Sequence, residues 1–196
     1  MKSFCIVPAA GASVRMGTPK LLLPWRGTTV IEHLIGAWRG GGVDHLLVVA
    51  RAAATELIAR ARGAGAQVIA ADPPPADMKA SVRLGLAFVG EQFQPHADDV
   101  WLTSPADLPL LSPDVIRALV AAHSPGAPRV LIASHQGRRG HPVLFPWPFA
   151  ARVDELAADE GLDRLVARSA PVLIECGAGA VCADLDTPAD YERLRG

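Results

Sequence analysis

A small-residue loop with two cations and three scattered aspartates are the residues whose types suit phosphate and metal chemistry. The stretch Pro8–Lys20, PAAGASVRMGTPK, follows the apolar run Phe4–Val7. It carries Gly11 and Gly17, the small residues Ala9, Ala10, Ala12 and Ser13, and the cations Arg15 and Lys20. Small residues let a backbone approach a ligand closely, and exposed N–H groups in such a loop bind phosphate oxygens. Arg15 and Lys20 would add charge-assisted hydrogen bonds to a polyphosphate. The loop has neither the GxxxxGK spacing of a phosphate loop nor the GxGxxG of a dinucleotide site. Spacing alone leaves open a phosphate cradle and an ordinary turn with solvated cations.

Asp107 lies in TSPADLPLL, Thr103–Leu111, at the end of another apolar run. A carboxylate at a strand end is costly to desolvate unless a cation meets it, and magnesium, held by one or two carboxylates plus phosphates, is the natural cation. The alternative is a turn cap before Pro109. The third stretch is Ala183–Tyr191, ADLDTPADY. On a strand, Asp184 and Asp186 would share one side and repel, which points to a cation or an exposed edge. A helix beginning at Pro188, capped by Asp186 or Thr187, explains the same residues differently. Met78–Leu86, MKASVRLGL, reads as the start of an amphipathic helix with Val82, Leu86 and Val89 inward. Gly137–Phe145, GRRGHPVLF, offers His141, Arg138 and Arg139.

Alternating elements must position these residues. Strands are expected at Phe4–Val7, His45–Ala50, Gln67–Ala71, Asp99–Ser104, Val130–Ser134, Pro142–Phe145, Pro171–Cys176 and Val181–Leu185. Helices are expected at Thr29–Arg39, Thr55–Arg62, Lys79–Val89, Pro113–His123 with Ser112 as N-cap, Leu162–Arg168 and Pro188–Arg195. This alternation implies a three-layer α/β/α sandwich around a Rossmann-like, mostly parallel sheet. Ligands of such sheets bind at the carboxyl ends of strands, which selects the loops named above.

The 196 residues suit one domain, 1–196. A net charge of −1 gives no long-range field for nucleic acid or an anionic membrane, so neither is expected as a partner. No apolar run has the length of a membrane span, and the first residues lack the pattern of a signal peptide. Cys5, Cys176 and Cys182 show no CxxC or Cys/His metal-ligand spacing, which suggests reduced thiols and a cytoplasmic protein. Of 19 basic residues only Lys2, Lys20 and Lys79 are lysines, so a lysine in a loop suggests a need for a compact ammonium.

PAAGASVRMGTPKLLLP resembles the LAAGxSxRMGxxKxLLP signature of the MobA/MocA-like nucleotidyltransferases, with Pro8 replacing the usual leucine. ADLPLL resembles the family's metal-binding DxPLL segment, with Ala106 replacing the commoner cysteine. DLDTPADYERL resembles its D(I/L)DTPEDYERL, and RGHPVLF its RG(N/H)PVLF. KASVRLGL resembles the cytidylyltransferase branch rather than the guanylyltransferase branch, although Asp77 stands where glycine is common. The resemblance implies a nucleotide-diphospho-sugar-transferase-like fold. It implies Ala9, Ala10, Gly11, Ser13 and Ser81 near the nucleotide, with Arg15 and Lys20 on the triphosphate. Arg15, Lys20 and Asp107 would be catalytic, and Asp107 with Asp186 or Asp184 would bind Mg2+. His141 and Arg139 would meet the acceptor. The implied reaction is NMP transfer from a nucleoside triphosphate, CTP before GTP, to a molybdopterin-type acceptor, with a molybdoenzyme or its chaperone as onward partner. Guanylyl or other nucleotidyl transfer to a different acceptor, such as a sugar-1-phosphate, is the first alternative. A non-catalytic nucleotide- or cofactor-binding chaperone is the second.

Overall fold

The computed structural model describes residues 1–13, 16–177, 181 and 183–195. The strands of the main sheet are β1 (Ser3–Pro8), β4 (His45–Arg51), β5 (Gln67–Ala71), β6 (Val100–Thr103), β7 (Leu131–His135), β8 (Arg138–Pro146) and β9 (Val172–Glu175). A small hairpin pairs β2 (Pro24–Trp25) with β3 (Thr28–Thr29). The helices are α1 (Val30–Gly40), α2 (Thr55–Gly63), α3 (Met78–Phe93), α4 (Pro113–Ala122), α5 (Phe149–Asp154), α6 (Leu162–Arg168) and α7 (Pro188–Arg195). The sheet order is β5-β4-β1-β6-β8-β7-β9. Only β8 runs against its neighbours, pairing antiparallel with β6 and β7. This is the mostly parallel sandwich that the alternating elements imply.

β1 lies inside the sheet, and both of its faces are apolar. Phe4, Cys5, Ile6 and Val7 are all fully buried, as expected for a strand covered on both sides. Alternation divides them between two cores. Cys5 and Val7 join Ile31, Leu34 and Trp38 of α1, while Phe4 and Ile6 join Val82, Leu86 and Val89 of α3. α1 starts where a capping box sets it: the Glu32 N–H donates to Thr29 Oγ1 at 3.4 Å, and the Thr29 N–H donates to Glu32 Oε2 at 2.9 Å. α3 lies unusually close to β1. A Cβ at Gly85 would stand 2.6 Å from Ile6 Cγ2, so only glycine allows this approach. The contact holds the N-terminus of α3 over the loop that leaves β1.

Most expected elements stand within a few residues of their expected bounds, with several differences; β8 begins at Arg138 rather than Pro142, and the β2–β3 hairpin was not expected. The strand expected at Val181–Leu185 is not formed by its described residues: Ala183–Leu185 form no ladder, and the Leu185 N–H instead donates to the Asp107 carbonyl at 2.9 Å. Asp184 and Asp186 are therefore not neighbours on a strand face. Helix α5 was not expected, because Pro146-Trp147-Pro148 hides a six-residue helix. α3 continues to Phe93, beyond the expected end at Val89. Ser112 precedes α4, but its side chain makes no capping bond. Among the described residues no helix is long and apolar enough to cross a membrane.

Candidate active site

Lys20 begins a single 3-10 turn, Lys20–Leu22, after Pro19. Its backbone N–H donates to Ser13 Oγ at 3.3 Å, tying the turn back to the loop after β1. Its ammonium donates to Asp107 Oδ2 and, at 3.3 Å, to Asp186 Oδ1. Asp107 follows β6 and Asp186 precedes α7, so residues 87 and 166 positions away meet one lysine. The side chains of Lys20 and Asp107 are 17% and 16% exposed, which strengthens the attraction relative to a surface pair. The Leu185-to-Asp107 backbone bond sets the second carboxylate beside the first.

Asp184 belongs to the same electrostatic cluster. Burial raises its pKa, and the nearby Asp107 and Asp186 carboxylates raise it further against the opposing Lys20 ammonium. Asp190 does different work. It accepts from the Thr187 N–H at 2.9 Å and the Thr187 hydroxyl at 2.8 Å, and its own N–H donates to Thr187 Oγ1 at 3.2 Å. Thr187 is thus the cap of α7, which leaves Asp186 to face Lys20.

A cavity of ≈ 360 Å3 opens beside this cluster. Its floor is the loop from Pro8 to Ser13, where Ala9 and Ala10 are buried and Gly11 is exposed. A Cβ on Gly11 would meet nothing within 4 Å, so the backbone there faces open space. Lys20 and Asp107 line the cavity where β6 ends, and Met78 and Ser81 reach it from α3. Ser81 is nearly fully buried, and its hydroxyl donates to the Asp77 carbonyl at 3.1 Å. Arg15 lies outside the described residues.

A second cavity of ≈ 560 Å3 shares Asp77 and Met78 with the first. Thr103, Phe145, Arg139 and His141 line it. Burial lowers the His141 pKa, with the Asp107 carboxylate opposing, so the imidazole is neutral near pH 7. Its Nδ1 is buried without a hydrogen-bond partner among the described residues.

Two residues of this region carry no expected role. Lys79, in the first turn of α3, is 9% exposed and donates to the carbonyls of Ala157 at 2.6 Å, Ala158 at 3.1 Å and Glu160 at 2.7 Å. It fixes the far wall of the second cavity. Arg51, at the end of β4, donates from Nε to the Ala10 carbonyl at 2.6 Å and lines the first cavity. Its only signal in the sequence is a cation ending an apolar strand.

The donor set fits a divalent metal. Asp107 Oδ1 is buried and has no hydrogen-bond partner among the described residues. Among those residues, no three His, Cys, Asp or Glu side chains gather to cage an ion by themselves. Magnesium-like ions are commonly held this way, by one or two carboxylates with substrate phosphates completing the shell.

The model of the MobA-like NTP transferase domain matches residues 5–172, which include the loop after β1, Asp107 and His141. The chain belongs to the MobA-like NTP transferase family. It is 28% identical over 204 residues to nicotine blue oxidoreductase of Paenarthrobacter nicotinovorans, covering 96% of this chain and 94% of the relative. It is 25% identical to the molybdenum cofactor cytidylyltransferase of Escherichia coli K12, covering 95% and 92%. The crystal structure of Rv0371c from Mycobacterium tuberculosis H37Rv superposes with a TM-score of 0.80 at 28% identity, covering 99% of this chain and 97% of that one. A manganese complex of Rv0371c superposes with a TM-score of 0.75 at 27% identity, covering 99% and 98%. The fold is that of the nucleotide-diphospho-sugar transferases, and nucleotidyl transfer from a nucleoside triphosphate is the activity class of this MobA-like chain.

Proposed function

We propose that this chain transfers CMP from CTP to the phosphate monoester of molybdenum–molybdopterin, releasing pyrophosphate in a Mg2+-dependent reaction. The observation that carries the reading is the meeting of Lys20, Asp107 and Asp186 beside a cavity floored by the Pro8–Ser13 backbone. The cytidylyltransferase among the relatives and the cytidylyl-like Met78–Leu86 segment support the base and the acceptor.

In the proposed step an acceptor phosphate oxygen bonds to the α-phosphorus, and the bond from that phosphorus to the bridging oxygen of the β-phosphate breaks. The nucleophile is already an anion, so no strong general base is needed. The obstacle is bringing anions together, and positioned charge overcomes it. A divalent ion on Asp107 and Asp186 would supply Lewis-acid neutralisation of the phosphates. Lys20 would turn from its carboxylates to the α-phosphate, and Arg15 would meet the leaving pyrophosphate. Backbone N–H groups of Ala10–Ser13 would orient the phosphates. Neutral His141 and the Arg139 guanidinium would hold the acceptor in the second cavity, next to the first.

The test is pyrophosphate release with each of the four nucleoside triphosphates, with and without molybdenum cofactor. CTP-selective, cofactor-dependent release is the expected result. Release with a sugar phosphate instead would remove the acceptor, and nucleotide binding without release in either case would remove the transferase reading.

A further inference from the structure

Strand order orients the nucleotide. β4 and β6 flank β1 on opposite sides, each about 4.8 Å away. Lys20 and Asp107 gather at the β6 side of the first cavity, and Arg51 stands at the β4 side. With phosphates at the lysine and the carboxylates, the base points toward Arg51. The guanidinium is held in place, because its Nε donates to the Ala10 carbonyl at 2.6 Å. Its two terminal nitrogens have no acceptor among the described residues, and no carboxylate pairs with them. Arg51 also lines a neighbouring cavity of ≈ 360 Å3 behind the Gly11 loop.

We propose that Arg51 is a specificity-determining residue that reads the base of the nucleoside triphosphate through two parallel hydrogen bonds. This rests on the triphosphate site proposed above. A guanidinium offers only donors, in a rigid fork that matches two adjacent acceptors. Cytosine presents such a pair in O2 and N3, and guanine in O6 and N7. Uracil places an N–H between its two carbonyls. Adenine places an amino donor beside each of N1 and N7. Arg51 therefore favours cytosine or guanine over uracil and adenine, and backbone contacts from the α3 start would choose between the favoured two.

The experiment is calorimetric titration of the four triphosphates and of inorganic tripolyphosphate, with Mg2+, into the wild-type chain and the variants Arg51→Met and Arg51→Lys. Wild type should bind CTP or GTP at least tenfold more tightly than UTP and ATP. Arg51→Met should weaken the preferred nucleotide by tenfold to a hundredfold, with UTP, ATP and tripolyphosphate within about threefold of wild type. Arg51→Lys should also lose the preference, because an ammonium keeps the charge but not the fork. A lysine variant that keeps the preference reduces Arg51 to a charge and overturns the inference. Parallel weakening of tripolyphosphate and CTP makes Arg51 a loop anchor and overturns it too. If wild type binds none of the four triphosphates, the proposed function itself falls, and the base-reading role with it.

Discussion

The Lys20 ammonium is bonded to Asp107 Oδ2 and lies 3.3 Å from Asp186 Oδ1, so one lysine bridges the two carboxylates that best fit a divalent ion. The proposed function would want the same residue on the triphosphate when nucleotide arrives. On the proposed function, metal and lysine would therefore compete for the carboxylates until phosphate oxygens drew the ammonium away. Manganese added alone should bind weakly to the wild-type chain and more tightly once a nucleoside triphosphate is present. Lys20→Met should bind manganese at least tenfold more tightly without nucleotide, since even partly screened charges at such distances interact by a few kcal/mol. Electron paramagnetic resonance of free Mn2+ reads both quantities, and equal affinity in the two proteins would remove the competition.

Asp107 should matter more to rate than to folding. Its Oδ1 is buried and unpartnered among the described residues, and the Lys20 ammonium that its deletion frees keeps Asp186 as a partner. Asp107→Ala should lower kcat by on the order of 100-fold or more, as removal of one preorganised charge contact does elsewhere. Circular dichroism and melting should stay close to wild type. Near-normal pyrophosphate release from a folded Asp107→Ala protein would take this carboxylate out of the reaction.

Gly85 sets the distance between α3 and β1. An added Cβ would fall 2.6 Å from Ile6 Cγ2 and 3.1 Å from Ile6 Cδ1, both on a fully buried side chain. Gly85→Ala gains helix propensity but overpacks the core, and overpacking costs about 1–3 kcal/mol. Melting should fall by several degrees, at about 2–4 °C per kcal/mol for a chain of this size. Nucleotide affinity should fall with it, because Met78 and Ser81 ride on the displaced helix. Ile6→Ala in the same chain should recover part of the loss, a coupling expected of residues in direct contact.

How much of this could be read from the sequence differs between residues. The loop after β1 was legible because its small residues, cations and flanking apolar runs are contiguous. The approach of Asp107 and Asp186 to Lys20 was legible only through resemblance, since nothing local links positions so far apart. Val181–Leu185 misled because alternating apolar and polar residues look the same on a strand and on an extended segment. Among its described residues a backbone bond from Leu185 to Asp107 stands in place of a ladder. Arg51 and Lys79 were illegible for the opposite reason. Each has an ordinary local pattern, and its partners are chosen by strand order or by a loop some 80 residues away.

The cap of α7 has its own pH signature. The Arg193 guanidinium first, then the Thr187 hydroxyl and N–H, hold Asp190 down to about 2 from its usual 3.8. A carboxyl depressed on folding stabilises fully above its unfolded pKa and loses that contribution as pH falls through the folded one. The stability advantage of wild type over Asp190→Asn should thus be constant above about pH 5 and shrink between pH 4 and 2. Chemical unfolding at a series of pH values measures it, and a difference that stays flat down to pH 2 would falsify the assignment.

Lys79 places a nearly buried ammonium in the first turn of α3, where the helix dipole disfavours a cation. Three carbonyls, from Ala157, Ala158 and Glu160, compensate by accepting its three protons. The pairing ties the loop behind the second cavity to the helix that lines the first, so both substrates would sense one clamp. Lys79→Met keeps the stem and removes the donors. The three carbonyls would then turn to water, because an unmet buried acceptor costs about 1–3 kcal/mol. Amide exchange in residues 157–161 should quicken by at least tenfold, while exchange in β1 and β4 stays unchanged. Uniform quickening across the sheet would mean that Lys79 supports the whole fold, and unchanged exchange at 157–161 would mean that the loop holds itself.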